Sequence, residues 1–338
     1  MTERLAISVG CPAGIGPEVA VEAAAEATAP CLLVGDEGTL RRAAALRGVD
    51  ASGWPAIDDP AASGPRVAIW SHPGRGALTA PPPFGTPRAE DGAAQLAAVD
   101  EALRLVRAGT ARALVTGPVS KSVIASSGGR AAADFLGHTE HLARALGADE
   151  PTMTFVDPRG LSIALVTTHL PLRRVPDAIT SVRVGATVYW LVEMLHRLLG
   201  RPPRVVVAAL NPHAGEQGLL GDEEARVIGP GIEVGRTRLT AAGVKVERLD
   251  GPMGAESAFR YAQGGRYDGV VAMYHDQATI PSKLLGFGDA VNVTLGLPVV
   301  RTSVDHGTAY DVAGSGEASA SGMSAAVSLA VRLASVKA

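Results

Sequence analysis

Residues 204–213 read RVVVAALNPH, an apolar and β-branched run that ends at Asn211, Pro212 and His213. A continuous apolar run closed by turn residues is typical of a strand that is buried on both faces of a parallel sheet. Seven further runs share this composition: LAISVG (5–10), CLLVGD (31–36), RVAIWS (66–71), RALVTGP (112–118), LSIALVTTH (161–169), GVVAMYH (269–275) and AVNVTL (290–295). The repeated pattern predicts a sheet that is mainly parallel.

Longer segments of helical period lie between these runs. Residues 91–108 and 178–199 place Leu, Val and Ala at helical spacing, which predicts crossover helices. Strands that alternate with such helices form α/β folds, in which helices cover the sheet. Because 338 residues exceed the usual size of a single core, we expect two lobes.

Composition narrows the classes of function. The chain is 46% hydrophobic but has no apolar run of the ~18 residues that a membrane-spanning helix requires. The start MTERLAISVG lacks the features of a secretory signal, and Cys11 and Cys31 are too few for a disulfide framework, so we expect a cytoplasmic protein. A net charge of -3 and 4% aromatic residues favour a small-molecule substrate over nucleic acid or a membrane.

Three histidines occupy equivalent places after apolar runs: His169 in VTTHLP, His213 at the end of AALNPH, and His275 in AMYHDQ. The carboxyl ends of parallel strands share one edge of a sheet, where open α/β sheets bind ligands. Three neutral imidazoles there would hold a catalytic metal ion and leave positions open for substrate. Each histidine could instead be hydrogen-bonded to backbone at a strand end. The residues alone leave both interpretations open.

Charged and polar residues accompany the third histidine. Asp276 follows His275 directly and could orient that ligand or act as a base, or it could be a turn aspartate. Lys283 and Arg301, with Asn292 between them, would suit a phosphate or carboxylate if they converge, since Arg offers paired planar hydrogen bonds. Exposed, unrelated charges are the alternative.

Two segments of the first half carry further candidates. GCPAGIGPEVA (10–20) is either a tight turn or a turn whose backbone N–H groups meet an anion. It is not the dinucleotide fingerprint, because Glu18 and Val19 stand where the third glycine must fall. FLGHTEHLA (135–143) places His138, Thr139 and Glu140 at a helix entry, where Thr139 could be a cap.

A polar, glycine-punctuated segment near the end, SVDHGTAYDVAGSGEAS (303–319), could wrap a nucleotide. Asp311 would then accept a hydrogen bond from a ribose or base. A generic loop is the alternative.

An ordered series of motifs resembles the 4-hydroxythreonine-4-phosphate dehydrogenase family, within the isocitrate and isopropylmalate dehydrogenase-like group. They are CPAGIGPE (11–18), VTGPVSK (115–121), GHTE (137–140), TTHLPLR (167–173), NPHAGEQG (211–218), MYHDQ (273–277) and GFGDAVNVTLGLPVVRTSVDHGTAYDVAG (286–314). The resemblance implies a two-lobed α/β/α fold with mainly parallel sheets and some antiparallel strands. We expect a cofactor-side domain at 1–130 plus 303–338, and a metal, substrate and dimerisation domain at 131–302.

The same resemblance implies the site. One divalent ion per subunit (Zn, Mg or Co) is expected on ligands that come from both subunits of a homodimer: His169, His213 and His275. The expected substrate-binding residues are His138, Thr139, Lys283, Asn292 and Arg301, with Asp276 and Lys283 as catalytic candidates. NAD or NADP is expected at His306, Gly307 and Asp311.

The implied activity is oxidation of 4-phosphooxy-L-threonine to 2-amino-3-oxo-4-phosphobutanoate, with decarboxylation to 3-amino-2-oxopropyl phosphate, in pyridoxal 5'-phosphate (vitamin B6) biosynthesis. Two departures leave the substrate open: Cys11 replaces the family's usual aspartate, and GPMGAES (251–257) replaces GPLPADT. The alternatives are 4-phosphothreonate, phosphoerythronate or an unphosphorylated cis-dihydrodiol acid. An alternative from another class is a phosphate acyltransferase of similar architecture.

Overall fold

The computed structural model describes residues 4–61, 64–71, 78–286 and 290–335. The strands in chain order are β1 (Leu5–Ser8), β2 (Cys31–Val34), β3 (Val67–Trp70), β4 (Ala113–Thr116), β5 (Thr152–Val156), β6 (Ser162–Leu165), β7 (Arg204–Ala208), β8 (Arg248–Met253), β9 (Gly269–Ala272), β10 (Val291–Leu295) and β11 (Val300–Val304). The helices are α1 (Gly16–Glu26), α2 (Glu37–Leu46), α3 (Ala89–Arg107), α4 (Lys121–Ser126), α5 (Arg130–Ala133), α6 (His138–Leu146), α7 (Val175–Ala178), α8 (Ser181–Leu199), α9 (Gly229–Ala241), α10 (Ala255–Gln263), α11 (His275–Gly286) and α12 (Ser321–Ser335).

The chain forms two compact units. The first unit comprises Met1–Gly147 and Leu297–Lys337, and the second comprises Ala148–Gly296. These divisions differ from the expected ones at 130/131 and 302/303. Residues 131–147 belong to the first unit because Phe135 and Leu142 are buried in its core clusters, and β11 belongs to it because it pairs with β4. The roles expected of the two parts stay predictions.

The first unit is built on a parallel sheet with the strand order β3-β2-β1-β4-β11. Its first four strands are buried along their whole length, as continuous apolar runs require when helices cover both faces. The predicted helix over 91–108 is α3, which contributes Val99, Ala102 and Leu105 to the core. It begins two residues earlier than predicted because the Asp91 carboxylate accepts the Arg88 N–H at 2.6 Å and caps the first turn.

The second unit contains strands in the order β10-β5-β6-β9-β7-β8. The pairs β10–β5 and β5–β6 are antiparallel, whereas β6–β9, β9–β7 and β7–β8 are parallel. The prediction of an α/β fold with mainly parallel strands and some antiparallel ones is therefore confirmed. Strands β5, β8 and β11 were not anticipated, because threonines, an aspartate or an arginine interrupt their apolar character.

Helices α8 and α9 pack closely in the second unit. The predicted helix over 178–199 is α8, which begins after Thr180, whose hydroxyl accepts the Arg183 N–H at 3.2 Å. Glycines permit the close approach: a Cβ on Gly235 would lie 2.7 Å from Val188 Cγ1. Among the described residues no single helix is long and apolar enough to cross a membrane, and the one combination that passes by length and composition, α8 with Leu172–Ala178, is bent by 89°.

Candidate active site

Two of the three candidate metal ligands lie together in the second unit. His169 follows β6 and His275 begins α11 directly after β9, the parallel neighbour of β6. The Thr167 N–H donates to the Met273 carbonyl at 3.2 Å, so the pairing continues beyond the strands. The imidazole centroids of His169 and His275 are 5.5 Å apart, which places both rings at one edge of the sheet.

Asp276 orients one of these rings. His275 donates from Nδ1 to Asp276 Oδ1 at 2.7 Å, which directs Nε2 away from the carboxylate. A carboxylate behind an imidazole is the usual partner of a metal-ligating histidine, because it sets the tautomer and the ring orientation. Two imidazoles with such a carboxylate suit an ion such as Zn²⁺.

Gln277 ties the segment that carries His275 to the strand that leads to His213. Its Oε1 accepts the Met273 N–H at 2.6 Å, and its Nε2 donates to the Ala209 carbonyl at 2.8 Å. The carboxyl ends of β9 and β7 are therefore held together by one side chain. Nothing in the hydrophobic pattern of MYHDQ indicates this role.

His213 lies in an unusual backbone conformation. From His213 to Gln217 all five φ values are positive (52, 53, 79, 44 and 56°), which is a turn of left-handed helix. Left-handed helix costs L-residues about 1–2 kcal/mol each, so surrounding contacts must impose it. In the part of the chain that the structure describes, no group of three or more His, Cys, Asp or Glu side chains is placed to hold a metal ion.

A buried cationic cluster forms in the first unit, where β11 lies beside β4. Arg301 is only 3% exposed and donates from Nε and Nη2 to Thr116 Oγ1, at 3.2 and 2.7 Å. Burial lowers the pKa of Arg301 to about 10, although the charge of Glu140 opposes this. Sequence analysis missed Thr116, because 185 residues separate it from Arg301.

His138, the first residue of α6, belongs to the same cluster. Burial, followed by the positive charges of Arg301, His141 and Lys121, lowers its pKa well below the ordinary value. Its buried Nε2 makes no hydrogen bond to any described residue. A neutral imidazole with an open nitrogen beside a buried guanidinium suits an anionic ligand with several oxygens.

The other expected substrate residues are distributed over both units. Thr139 lies in the first turn of α6, but the cap position is Gly137, so Thr139 is not the cap. In the second unit, Lys283 is exposed on α11, and the buried Asn292 Oδ1 on β10 lacks a hydrogen-bond partner among the described residues. Residues 287–289 of the last family motif lie outside the described residues.

The loop expected to hold the cofactor packs against the glycine-rich turn of residues 10–16. The Ile15 N–H donates to the Thr308 carbonyl at 3.0 Å, and the Gly314 N–H donates to Glu18 Oε1 at 2.8 Å. Gly14 must be glycine here, since a Cβ would lie 2.6 Å from the Thr308 oxygen. The N–H groups of Cys11, Gly14 and Ile15 are thus used within the protein, which favours the tight-turn interpretation over the anion site.

In that loop, His306 and Asp311 are partly or fully exposed, as is Gly307. The Cys11 thiol and the Tyr310 hydroxyl are hydrogen-bonded at 3.3 Å. Burial raises the pKa of Cys11, and burial with this hydrogen bond raises the pKa of Tyr310 to about 12. The position where the family usually has an aspartate therefore carries a neutral group that contacts the loop.

Comparison with known proteins agrees with this geometry. Residues 27–330 match the family described as Pyridoxal phosphate biosynthetic protein PdxA. A 4-hydroxythreonine-4-phosphate dehydrogenase from Geobacter metallireducens is 41% identical over 99% of this chain and 96% of its own. A D-threonate 4-phosphate dehydrogenase from Pectobacterium atrosepticum is 37% identical over 99% of this chain and 100% of its own. The crystal structure of 4-hydroxythreonine-4-phosphate dehydrogenase from Klebsiella pneumoniae aligns with a TM-score of 0.82 at 35% identity, covering 99% of this chain and 98% of that one.

Proposed function

Because this chain belongs to the PdxA family and is a nicotinamide-dependent dehydrogenase that acts on a secondary alcohol, we propose that its substrate is 4-phosphooxy-L-threonine. The observation that carries the proposal is the pair of adjacent imidazoles, His169 and His275, with Asp276 behind the second ring. The pair suits a divalent ion, which would polarise the substrate hydroxyl and lower its pKa. His169, His213 and His275 would hold that ion.

The cationic cluster of the first unit supports an anionic substrate. Arg301 would offer its planar N–H groups to phosphate or carboxylate oxygens, and the open Nε2 of neutral His138 would take up one further hydrogen bond. Thr139, Lys283 and Asn292 are proposed as further substrate-binding residues. Because Arg301 is buried, an anion that binds it exchanges its hydrogen bonds to water for hydrogen bonds to fixed protein donors. The attraction between the two charges is stronger there than in water, because the effective dielectric constant is lower.

In the proposed reaction the hydroxyl proton passes to a base while hydride leaves the same carbon for the nicotinamide of NAD or NADP, bound against His306, Gly307 and Asp311. The carbon becomes a ketone beside a carboxylate-bearing carbon. The bond to the carboxylate then breaks, carbon dioxide leaves, and the electron pair of that bond forms an enolate, which is protonated on carbon to give 3-amino-2-oxopropyl phosphate. The hydrogen bond to His275 supports an orienting role for Asp276, and Lys283 remains a candidate proton carrier.

The active unit is proposed to be a homodimer. Large apolar side chains are exposed in the segments that carry the three histidines: Leu170, Leu172, Leu219, Leu220, Ile280 and Leu284. Exposed apolar groups of this density mark surfaces that another protein covers. Since His169 and His275 lie together in one chain, we assign these two ligands to one protomer and His213 to its partner.

Mixing two inactive variants tests this assignment. Random assembly of His213→Ala with His275→Ala chains makes about half the dimers mixed, each with one intact site if ligands are shared. About one quarter of wild-type activity should return. If all three ligands come from one chain, no intact site forms and activity stays absent.

A substrate panel tests the function itself. With purified protein and Zn²⁺, reduction of NAD or NADP should be fastest with 4-phosphooxy-L-threonine. His213→Ala should lose at least about a hundredfold in turnover, whereas His196→Ala, on α8, should retain it. The second candidate is D-threonate 4-phosphate, which the Pectobacterium relative supports. Full activity after metal removal, or oxidation of unphosphorylated acids only, would refute the proposal.

A further inference from the structure

The left-handed turn that carries His213 is held by a buried carboxylate from the next segment. Glu224 is 6% exposed. Its Oε1 accepts the N–H groups of Leu210 and Asn211 at 2.9 and 2.8 Å. Its Oε2 accepts Asn211 Nδ2 at 2.9 Å. One side chain therefore anchors the two residues at which the chain leaves β7, just before His213.

The turn is also closed from its other end. Leu220 donates its N–H to the Gly215 carbonyl at 3.0 Å. A Cβ on Gly215 would lie 2.8 Å from Glu224 Oε2, so the carboxylate packs directly against the middle of the turn. Glu224 begins a turn of π-helix, Glu224–Ile228, a form that proteins use mostly as single turns near functional sites.

A run of left-handed residues does not persist without such support, because each non-glycine residue in it is strained. Charge-assisted hydrogen bonds from two backbone amides and one side-chain amide are among the stronger contacts available. They act on the two residues that precede Pro212 and thus on the direction in which the chain enters the turn. The position of the His213 ring consequently depends on a residue that does not touch it.

We propose that Glu224 is a positioning residue for His213, and that its carboxylate keeps the turn in the left-handed form in which His213 serves as a metal ligand. This inference rests on the proposed function, because it takes His213 to be a ligand. Glu224 has no contact with substrate or cofactor in this assignment. Its effect should therefore appear first in metal affinity.

Glu224→Gln is the test, with Glu233→Gln, an exposed position on α9, as the matched control. Gln retains one oxygen for the backbone amides but turns its amide donor toward Asn211 Nδ2. Zn²⁺ affinity of the dimer, measured by competition with a chromophoric chelator, should fall about 10–100-fold, the usual loss when a residue behind a ligand is changed. Amide hydrogen exchange at Leu210 and Asn211 should accelerate in the metal-free protein, and the control should change neither quantity.

The outcomes separate the two proposals. Wild-type Zn²⁺ affinity in a folded Glu224→Gln protein, with faster exchange at Leu210, would overturn the role of Glu224 while leaving the proposed function intact. If wild type binds no Zn²⁺, or His213→Ala binds it normally, the metal assignment fails and the role of Glu224 fails with it. Should Glu224→Gln not fold, Asn211→Ala removes only the side-chain donor, which Glu224 shares with Glu223 Oε2 at 2.6 Å. It should weaken Zn²⁺ binding at least threefold, and unchanged binding would overturn the inference.

Discussion

Replacing Arg301 with Met should stabilise the metal-free, substrate-free protein while it abolishes substrate binding. The guanidinium is buried, and burial lowers its pKa from the ordinary value of an arginine to about 10. At 1.36 kcal/mol per pH unit, this lowering corresponds to about 3 kcal/mol of unfavourable free energy for the charged guanidinium in the folded state. Because the folded pKa lies near 10, this penalty is fully present, and constant, from pH 6 to 8.

Methionine removes the charge but also removes two hydrogen bonds to Thr116 Oγ1. Because both hydrogen bonds share one acceptor, their loss lowers the free energy of unfolding by about 1 kcal/mol. Arg301 also makes a further contact that methionine would lose, so the net expectation is a gain of about 1–2 kcal/mol in the free energy of unfolding. The double variant Thr116→Val/Arg301→Met should recover most of the 1 kcal/mol lost with these hydrogen bonds. In it, no buried hydroxyl is left without its donors.

The assay is urea unfolding followed by circular dichroism at pH 7.5. Arg130→Met, an exposed arginine on α5, is the control and should change stability by less than about 0.5 kcal/mol. Turnover and protection by phosphate against unfolding are measured on the same samples, and both should be lost in Arg301→Met. A variant that is less stable than wild type would show that contacts in the protein already offset the burial of this charge, which would refute the reasoning.

Three further predictions follow from burial and packing. The free energy of unfolding should decrease below pH 6.5, by up to about 1.4 kcal/mol per pH unit, because His138 stays neutral in the folded protein but is protonated in the unfolded chain. Urea titrations at pH 7.5 and at pH 5.5 should show a smaller decrease between the two pH values for His138→Gln than for wild type. Burial raises the pKa of Cys31 to about 12 and raises that of Cys11, so iodoacetamide at pH 8 should label neither thiol until urea is added. Gly235→Ala should lower stability by about 1–3 kcal/mol by forcing α8 from α9, whereas Gly53→Ala, with open space around it, should not.

Each of these has a clear contrary result. Equal acid sensitivity of wild type and His138→Gln would show that the imidazole is protonated in the folded protein. Rapid labelling of Cys11 in the native state, counted by mass spectrometry, would show that its contact with Tyr310 opens readily. An unchanged urea midpoint for Gly235→Ala would mean that the two helices can separate without loss.

The hydrophobic pattern predicted much of the fold, because a strand buried on both faces must be apolar along its length. Val205, Val206 and Val207 in β7 and Val270 and Val271 in β9 follow this rule. The same rule located the carboxyl ends of the strands. Because His169 and His275 each follow such an end, the sequence predicted that they lie close together. It failed for β5, whose two threonines, Thr152 and Thr154, break the apolar pattern although they are buried.

Tertiary structure alone decided how polar groups far apart in sequence meet. The contact of Thr116 with Arg301, the hydrogen bond of Cys11 with Tyr310, and the neutral state of His138 depend on packing between segments that no spacing relates. The turn at His213 is a stronger example, because its left-handed backbone is unfavourable for the residues that form it, and Glu224, from a later segment, bonds to the residues that lead into it. The sequence by itself determined which functional side chains follow the strands, since the local hydrophobic pattern governs which segments are buried. The relative positions of those side chains were decided by long-range contacts, which the local pattern does not encode.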